Sequence, residues 1–245
     1  MQLLEESIRE LRAYVDDLRV RRPLRALVAS DAVAWPEGRK GNVVLRSDTA
    51  VELGSPEQES VALLVWTEAL PLVRDGVLTL VGPEVGERAG GSLPFGKVAI
   101  LGVTGFDEDT WQERQRELDL RRYELNLWGY MMRAASGHGR EWGRVSREAV
   151  QKGFSLHTLG GALVRSYRSL PYVASAEMLF VTSSRADVRA LEAIARGAAR
   201  RIGARSKMAT EVSRACDACG FSDVCSEADA LRAMRSASGE GRSHV

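Results

Sequence analysis

Net charge is almost absent from this 245-residue chain: 34 Lys and Arg stand against 33 Asp and Glu, leaving +1. Without a global field of either sign, nothing in the balance calls for nucleic acid or an anionic membrane. Long apolar runs are missing too. None approaches the roughly 20 residues that span a bilayer, and the acidic, amphipathic N-terminus does not resemble a signal peptide. The expected location is cytoplasmic. Cysteine is scarce: the three residues Cys216, Cys219 and Cys225 lie close together, which points to a metal or redox site rather than a disulfide framework. No Walker sequence occurs, and residues 86–91 lack the strand–G-x-G-x-x-G–helix context, so a nucleotide fold is not expected. His138 sits in a Ser-Gly-His-Gly loop without a nucleophile at triad spacing and reads as a surface residue. His157, at a helix start, reads as a cap or packing residue. No internal repeat is visible.

What is present is an ordinary soluble balance, 44% hydrophobic and 27% charged, long enough for one large domain or two small ones. Leu4, Ile8, Leu11, Val15 and Leu18 recur at helical spacing and predict an amphipathic helix over 3–18. Pro23 ends it, and 24–29 reads as a short strand. A strand or hairpin half is expected over 43–53. Residues 61–67 (VALLVWT) form a continuous apolar run of strand length, expected as a buried central strand. Asp75-Gly76 is a hairpin-turn signal, so 77–81 is expected to pair with the strand before it.

Another strand is expected over 97–104. The longest helix is predicted over 107–133, capped by Asp107 or Asp109, with Trp111, Leu118, Leu125, Trp128 and Met132 on its apolar side. Asp107, Glu108 and Asp109 read as an acidic cluster answering the helix dipole rather than as a metal site. After a break at 136–139 come a short strand at 142–145 and a helix opened by Ser146 and Glu148. A helix at 158–169, a strand at 176–182 and a helix at 187–202 follow. This order predicts an α+β fold with a largely antiparallel sheet and packed helices. The expected domains are 1–205, a cysteine-bearing segment at 206–235, and a disordered tail at 236–245.

The stretch at 141–154, EWGRVSREAVQKGF, crowds Trp142, Arg144, Arg147 and Lys152 together. An indole among permanent cations suits a phosphorylated, ring-bearing ligand, because guanidinium forks chelate phosphate and the indole stacks on a base. The competing reading is a buried Trp at a strand end beside a solvated helix face, which the base rates for exposed charge favour.

Several words in this chain resemble the middle domain of the acetyl-CoA synthase β-type subunit of the CO dehydrogenase/acetyl-CoA synthase complex. They are VELG at 51–54, DGVLTLVGPEV at 75–85, LPFG at 93–96 and RVSREAVQKGF at 144–154, in the family's order, with the paired Arg121-Arg122 between. The resemblance covers about 35–225. It implies that family's α+β middle domain, detached, with coenzyme A binding through an arginine-rich surface around a tryptophan. Contact with a corrinoid or catalytic subunit is implied as well. By position, Arg121, Arg122, Arg140, Trp142, Arg144, Arg147 and Lys152 would carry the CoA or acyl-thioester contact. Arg121 and Arg122 fit a solvated helix face equally well, and Glu141 and Glu148 stand among the cations as candidate ion-pair partners.

The same family follows this domain with a four-cysteine word holding a 4Fe–4S cluster, and further on a Cys-Gly-Cys segment binds a nickel pair. Here Cys216 and Cys219 keep the C-x2-C spacing and Cys225 follows, but a fourth cysteine and the Cys-Gly-Cys segment do not occur. Three thiolates can face one cluster or one zinc ion, and closed four-coordinate sites need a fourth ligand. Asp217, Asp223, Glu227, His244, a partner residue or water could supply it. Unligated cysteines in a turn remain the third reading. The expectation is therefore a CoA-binding, partner-docking homologue without its own nickel site, related by resemblance to a transferase complex. The alternative is an iron–sulfur or zinc protein doing redox or sulfur/acyl-transfer chemistry at the three cysteines. A third reading is a scaffolding subunit with a decayed site. The end of a RecB-type nuclease shares the cysteine word but needs a carboxylate–lysine core that this sequence does not show.

Overall fold

A computed structural model of the chain describes residues 3–29, 35–38, 49–55, 58–87, 91–136 and 139–214. The chain opens with α1 (Glu5–Arg21), in which Ile8, Leu11, Val15 and Leu18 are all buried, as their spacing requires. Then come β1 (Leu24–Val28), β2 (Ala50–Leu53), β3 (Ser60–Thr67), β4 (Val77–Val81), β5 (Ser92–Leu93) and β6 (Phe95–Val103). The second half holds α2 (Trp111–Arg121), β7 (Tyr130–Ser136), β8 (Arg140–Ser146), α3 (Arg147–Gln151), α4 (Leu156–Arg168), β9 (Val173–Val181) and α5 (Arg185–Arg214). Residues 1–202 form one compact unit and 203–245 a second, of which 203–214 are described. No helix among the described residues is long and apolar enough to cross a membrane.

The strands make two sheets, one ordered β1-β4-β9-β6-β3 and the other β5-β2-β8-β7. Among the described residues antiparallel pairings outnumber parallel ones, and with five helices the architecture is α+β. Side chains alternate along a strand, so β9 shows which helix covers which face. Glu177 bonds Arg12 of α1, whereas Phe180 lies on the opposite face against Gly160 of α4. The five-stranded sheet is thus sandwiched, with α1 on one side and α4 on the other.

Three expectations are corrected. The run at 61–67 is fully buried, as expected, but β3 is an edge strand rather than a central one. An apolar run reports that both faces are covered and carries no information about position within the sheet. The Asp75-Gly76 turn does not make a hairpin either: β4 pairs with β1 and β9, and never with β3. Asp75 instead receives the Ala176 N–H at 3.0 Å and an ion pair from Arg168, which anchor the turn beside β9. The helix expected over 107–133 is confined to Trp111–Arg121, with Asp107 Oδ1 accepting from the Thr110 N–H at 2.9 Å just before it. Trp111 and Leu118 are buried there, but Leu125 and Trp128 fall in the connection that follows it and Met132 in β7. Gly129 stops any helix, at φ +77, where a Cβ would stand 2.4 Å from that of Ala149.

Candidate functional site

β8 is an inner strand of the second sheet and carries several of the basic residues singled out above. It pairs with β2 through Glu52↔Arg144 and Leu53↔Gly143, and with β7 through Tyr130↔Val145 and Met131↔Arg144. Strand alternation sends Arg140, Trp142 and Arg144 to one face, and Glu141, Gly143 and Val145 to the other. Ser146 ends the strand and starts α3, accepting the Ala149 N–H at 3.1 Å, so Arg147 opens the helix at the rim of the same sheet.

On the first face Arg144 is 8% exposed and bonds Glu52 directly across the strands. That carboxylate neutralises its charge. Trp142 is half-buried beside Gly54, whose φ of +67 turns the chain out of β2. A Cβ on Gly54 would stand 2.6 Å from that of Ser60 and 3.2 Å from that of Trp142, so only glycine fits this VELG word. Arg140 is exposed at the rim, 3.9 Å from Glu59, which also receives Arg189 at 2.7 Å. Arg147 is exposed, and among the described residues it has no ion-pair partner. Gly91 lies close to its guanidinium.

The second face is buried and polar at one point. Glu141, 1% exposed, holds the ammonium of Lys97 from β6, which is 5% exposed. Its other oxygen lies 3.5 Å from Arg122 Nη1, while Arg122 Nη2 lies 4.0 Å from Asp119. Burial pushes the Lys97 pKa down, and Glu141 opposes that shift. Tyr130 and Tyr167 are pushed up, first by burial and then by the Glu141 charge, so both stay neutral phenols. Beside this group a cleft of about 300 Å3 is lined by Gln115, Asp119, Arg122, Ala62 to Leu64 and the small side chains of α5.

The seven expected contact residues therefore do not all come together. Arg140, Trp142 and Arg144 share one face, with Arg147 at its rim. Arg122 lies on the opposite side of β8, and Arg121 is tied along α2 and its end to Glu117 at 3.5 Å and Glu124 at 2.7 Å. Lys152 pairs with Glu148 at 2.8 Å and sits over the Trp128 ring at 4.6 Å, away from Trp142. Glu141 and Glu148 are ion-pair partners of these cations, as their positions implied. His157 donates from Nε2 to the Val28 carbonyl at 2.9 Å and so ties α4 to β1, whereas the cap of α4 is Ser155, which accepts from the Thr158 N–H. The residue that sequence reading missed is Lys97. Its signal was present: a single charge inside FGKVAILGV, a run otherwise free of charge, must find a buried partner. Cys216, Cys219, Cys225 and His138 lie outside the described residues, among which no cluster of His, Cys, Asp or Glu could hold a metal ion.

The profile of the family described as CO dehydrogenase/acetyl-CoA synthase complex beta subunit matches residues 33–186. The chain belongs to that family. No curated protein matches the chain at a significant level. The family match takes in β2 to β9 and both faces of β8, and it leaves out α1, β1 and the cysteine segment.

Proposed function

We propose that this chain binds CoA or a related acyl thioester on the Arg140–Trp142–Arg144 face of β8, and docks a protein partner beside it. The reading is supported by the half-buried Trp142 and the exposed Arg140, which share one face of β8 with the Glu52-paired Arg144, and by the exposed Arg147, which opens α3 just beyond the end of that strand. Arg147 is the cation best placed to take a phosphate, since no carboxylate among the described residues competes for it. Trp142 offers its ring for adenine, and Arg140 stands at the rim for a second phosphate oxygen. Arg121, Arg122 and Lys152, also proposed as contacts, would reach a ligand only where it extends past the sheet. Membership in a complex-subunit family supports a partner, for which a corrinoid or catalytic subunit is the proposed class. No nickel site is proposed, because the sequence has no Cys-Gly-Cys segment.

Titration of the protein with CoA, dephospho-CoA and pantetheine, followed by tryptophan fluorescence and calorimetry, tests this. Binding should weaken from CoA to dephospho-CoA to pantetheine, and Arg147→Ala should cost about tenfold in CoA affinity, roughly 1.4 kcal/mol. Absence of CoA binding at millimolar concentration overturns the reading.

The C-x2-C-x5-C word supports a second reading, in which Cys216, Cys219 and Cys225 hold an iron–sulfur cluster or zinc. Iron, zinc and acid-labile sulfide analysis after anaerobic purification tests it. Metal retained by the wild type and lost in Cys219→Ser supports the site, and metal-free wild type removes it.

A further inference from the structure

β1 is the outer strand of the five-stranded sheet, and β4 is its only strand partner among the described residues. Soluble proteins blunt such edges with charge, proline or bulges, because unpaired N–H and C=O groups template pairing with another chain. Among the described residues no strand covers this edge, and of its outward groups the Val28 carbonyl is engaged, by His157. Its sequence is LRALV, its register with β4 runs unbroken from Leu24↔Val81 to Val28↔Val77, and its one charge, Arg25, is paired with Glu87 at 2.7 Å. Val28 is 72% exposed and Leu27 38%, and Val20, in the helix leading into the strand, is 87% exposed.

The direction of the open hydrogen-bonding groups follows from the ladder. Gly82 N–H donates to the Pro23 carbonyl, and Ala29 N–H donates to the Gly76 carbonyl, so odd-numbered residues of this strand face β4. Leu24, Ala26 and Val28 therefore aim their N–H and C=O groups away from the sheet.

We propose that this edge is where two copies of the chain meet, β1 pairing antiparallel with β1 about a two-fold axis at Ala26. The two five-stranded sheets become one continuous sheet. A second copy is the occupant because the strand is complementary to itself. With Ala26 opposite Ala26, Leu24 falls opposite Val28 at both ends, and every outward donor meets an outward acceptor. On one face the small alanines sit at the axis between two Leu–Val pairs, the kind of cross-strand aliphatic contact that stabilises sheets. On the other face Arg25 stands opposite Leu27, and Glu87 neutralises each arginine, so no bare like charges meet. The Val28 carbonyl already accepts from His157 and keeps a second lone pair. A five-residue ladder is smaller than the ~1,200 Å2 of a stable interface, so the pair dissociates at roughly 10 µM or above. β1 lies outside the residues matched to the family, so the contact is independent of the ligand reading.

Sedimentation velocity of the full chain from about 1 to 500 µM tests this pairing against the dissociation range expected of weak interfaces. The wild type should shift from monomer to dimer across the series. Ala26→Pro removes the central outward N–H without breaking a bond to β4, and Val28→Lys places a charge at an exposed edge position. Each should weaken dimerisation at least about tenfold while the circular dichroism melting curve stays that of the wild type. Should Ala26→Pro unfold, Val28→Lys, altered at a solvent-facing side chain, decides. A wild type that stays monomeric throughout, or folded variants that dimerise as the wild type does, overturns the proposal.

Discussion

Lys97 of β6 and Glu141 of β8 meet as a buried ion pair between the two sheets, the first 5% and the second 1% exposed. Each charge is taken out of water, and each is tolerated only because the other is there. The pair is thus a buried polar link between the two sheets.

Removal of one partner should therefore cost far more than replacement of both. Glu141→Ala leaves Lys97 and Arg122 facing each other without a carboxylate, and should lower stability by about 3–5 kcal/mol. The double variant Lys97→Met with Glu141→Leu should recover most of that loss. Urea denaturation of the three proteins measures both effects, and a single variant within error of the wild type would show that the pair does not hold the sheets.

Acid should loosen the turn before β4. The hydrogen bond from Arg168, together with the Ala176 N–H, holds the Asp75 carboxyl below its ordinary value of 3.8. Between the two values the unfolded chain binds a proton that the folded one refuses. The contribution is therefore complete above the ordinary value and lost as pH falls through the folded one. Asp75→Asn should flatten the acid limb of melting temperature against pH, below about pH 4, and leave the neutral region parallel to the wild type.

Gly54→Ala should be destabilising at a site far smaller than its effect. The residue adopts φ +67, and the added methyl would meet Ser60 Cβ at 2.6 Å. Left-handed backbone costs about 1–2 kcal/mol and overpacking about 1–3. A loss of roughly 2–4 kcal/mol in thermal or chemical unfolding is expected, with Trp142 fluorescence shifted because its Cβ lies next to the clash.

Arg144 and Arg147 should separate structure from binding. Arg144→Ala leaves Glu52 without its cross-strand partner, and should cost about 1–3 kcal/mol of stability. Arg147→Ala should leave stability within about 0.5 kcal/mol and act on ligand affinity alone. Calorimetric melting beside CoA titration reads the two quantities on the same samples.

Much of this molecule is legible along the chain. The spacing of Leu4, Ile8, Leu11, Val15 and Leu18 predicts α1, and Ser146 followed by Glu148 predicts the cap of α3. The apolar run at 61–67 predicts a strand with both faces covered, and the ordered words from VELG to RVSREAVQKGF predict the family matched over 33–186. These are local properties, set by neighbours a few residues apart, by caps and by turn geometry, and they survive without knowledge of the fold.

Tertiary structure alone decided what those pieces do together. It put β3 at an edge and β4 between β1 and β9, because strand order depends on pairings between residues far apart in sequence. It ended the helix expected to reach 133 at Arg121, and the residues from Tyr130 on pair as β7 with β8 instead. It also divided one run of cations by the alternation of a single strand, sending Arg140 and Arg144 to one face while Glu141 draws Lys97 and Arg122 to the other. A sequence records which charges exist; only the packed sheets determine which of them must meet a partner to be buried at all.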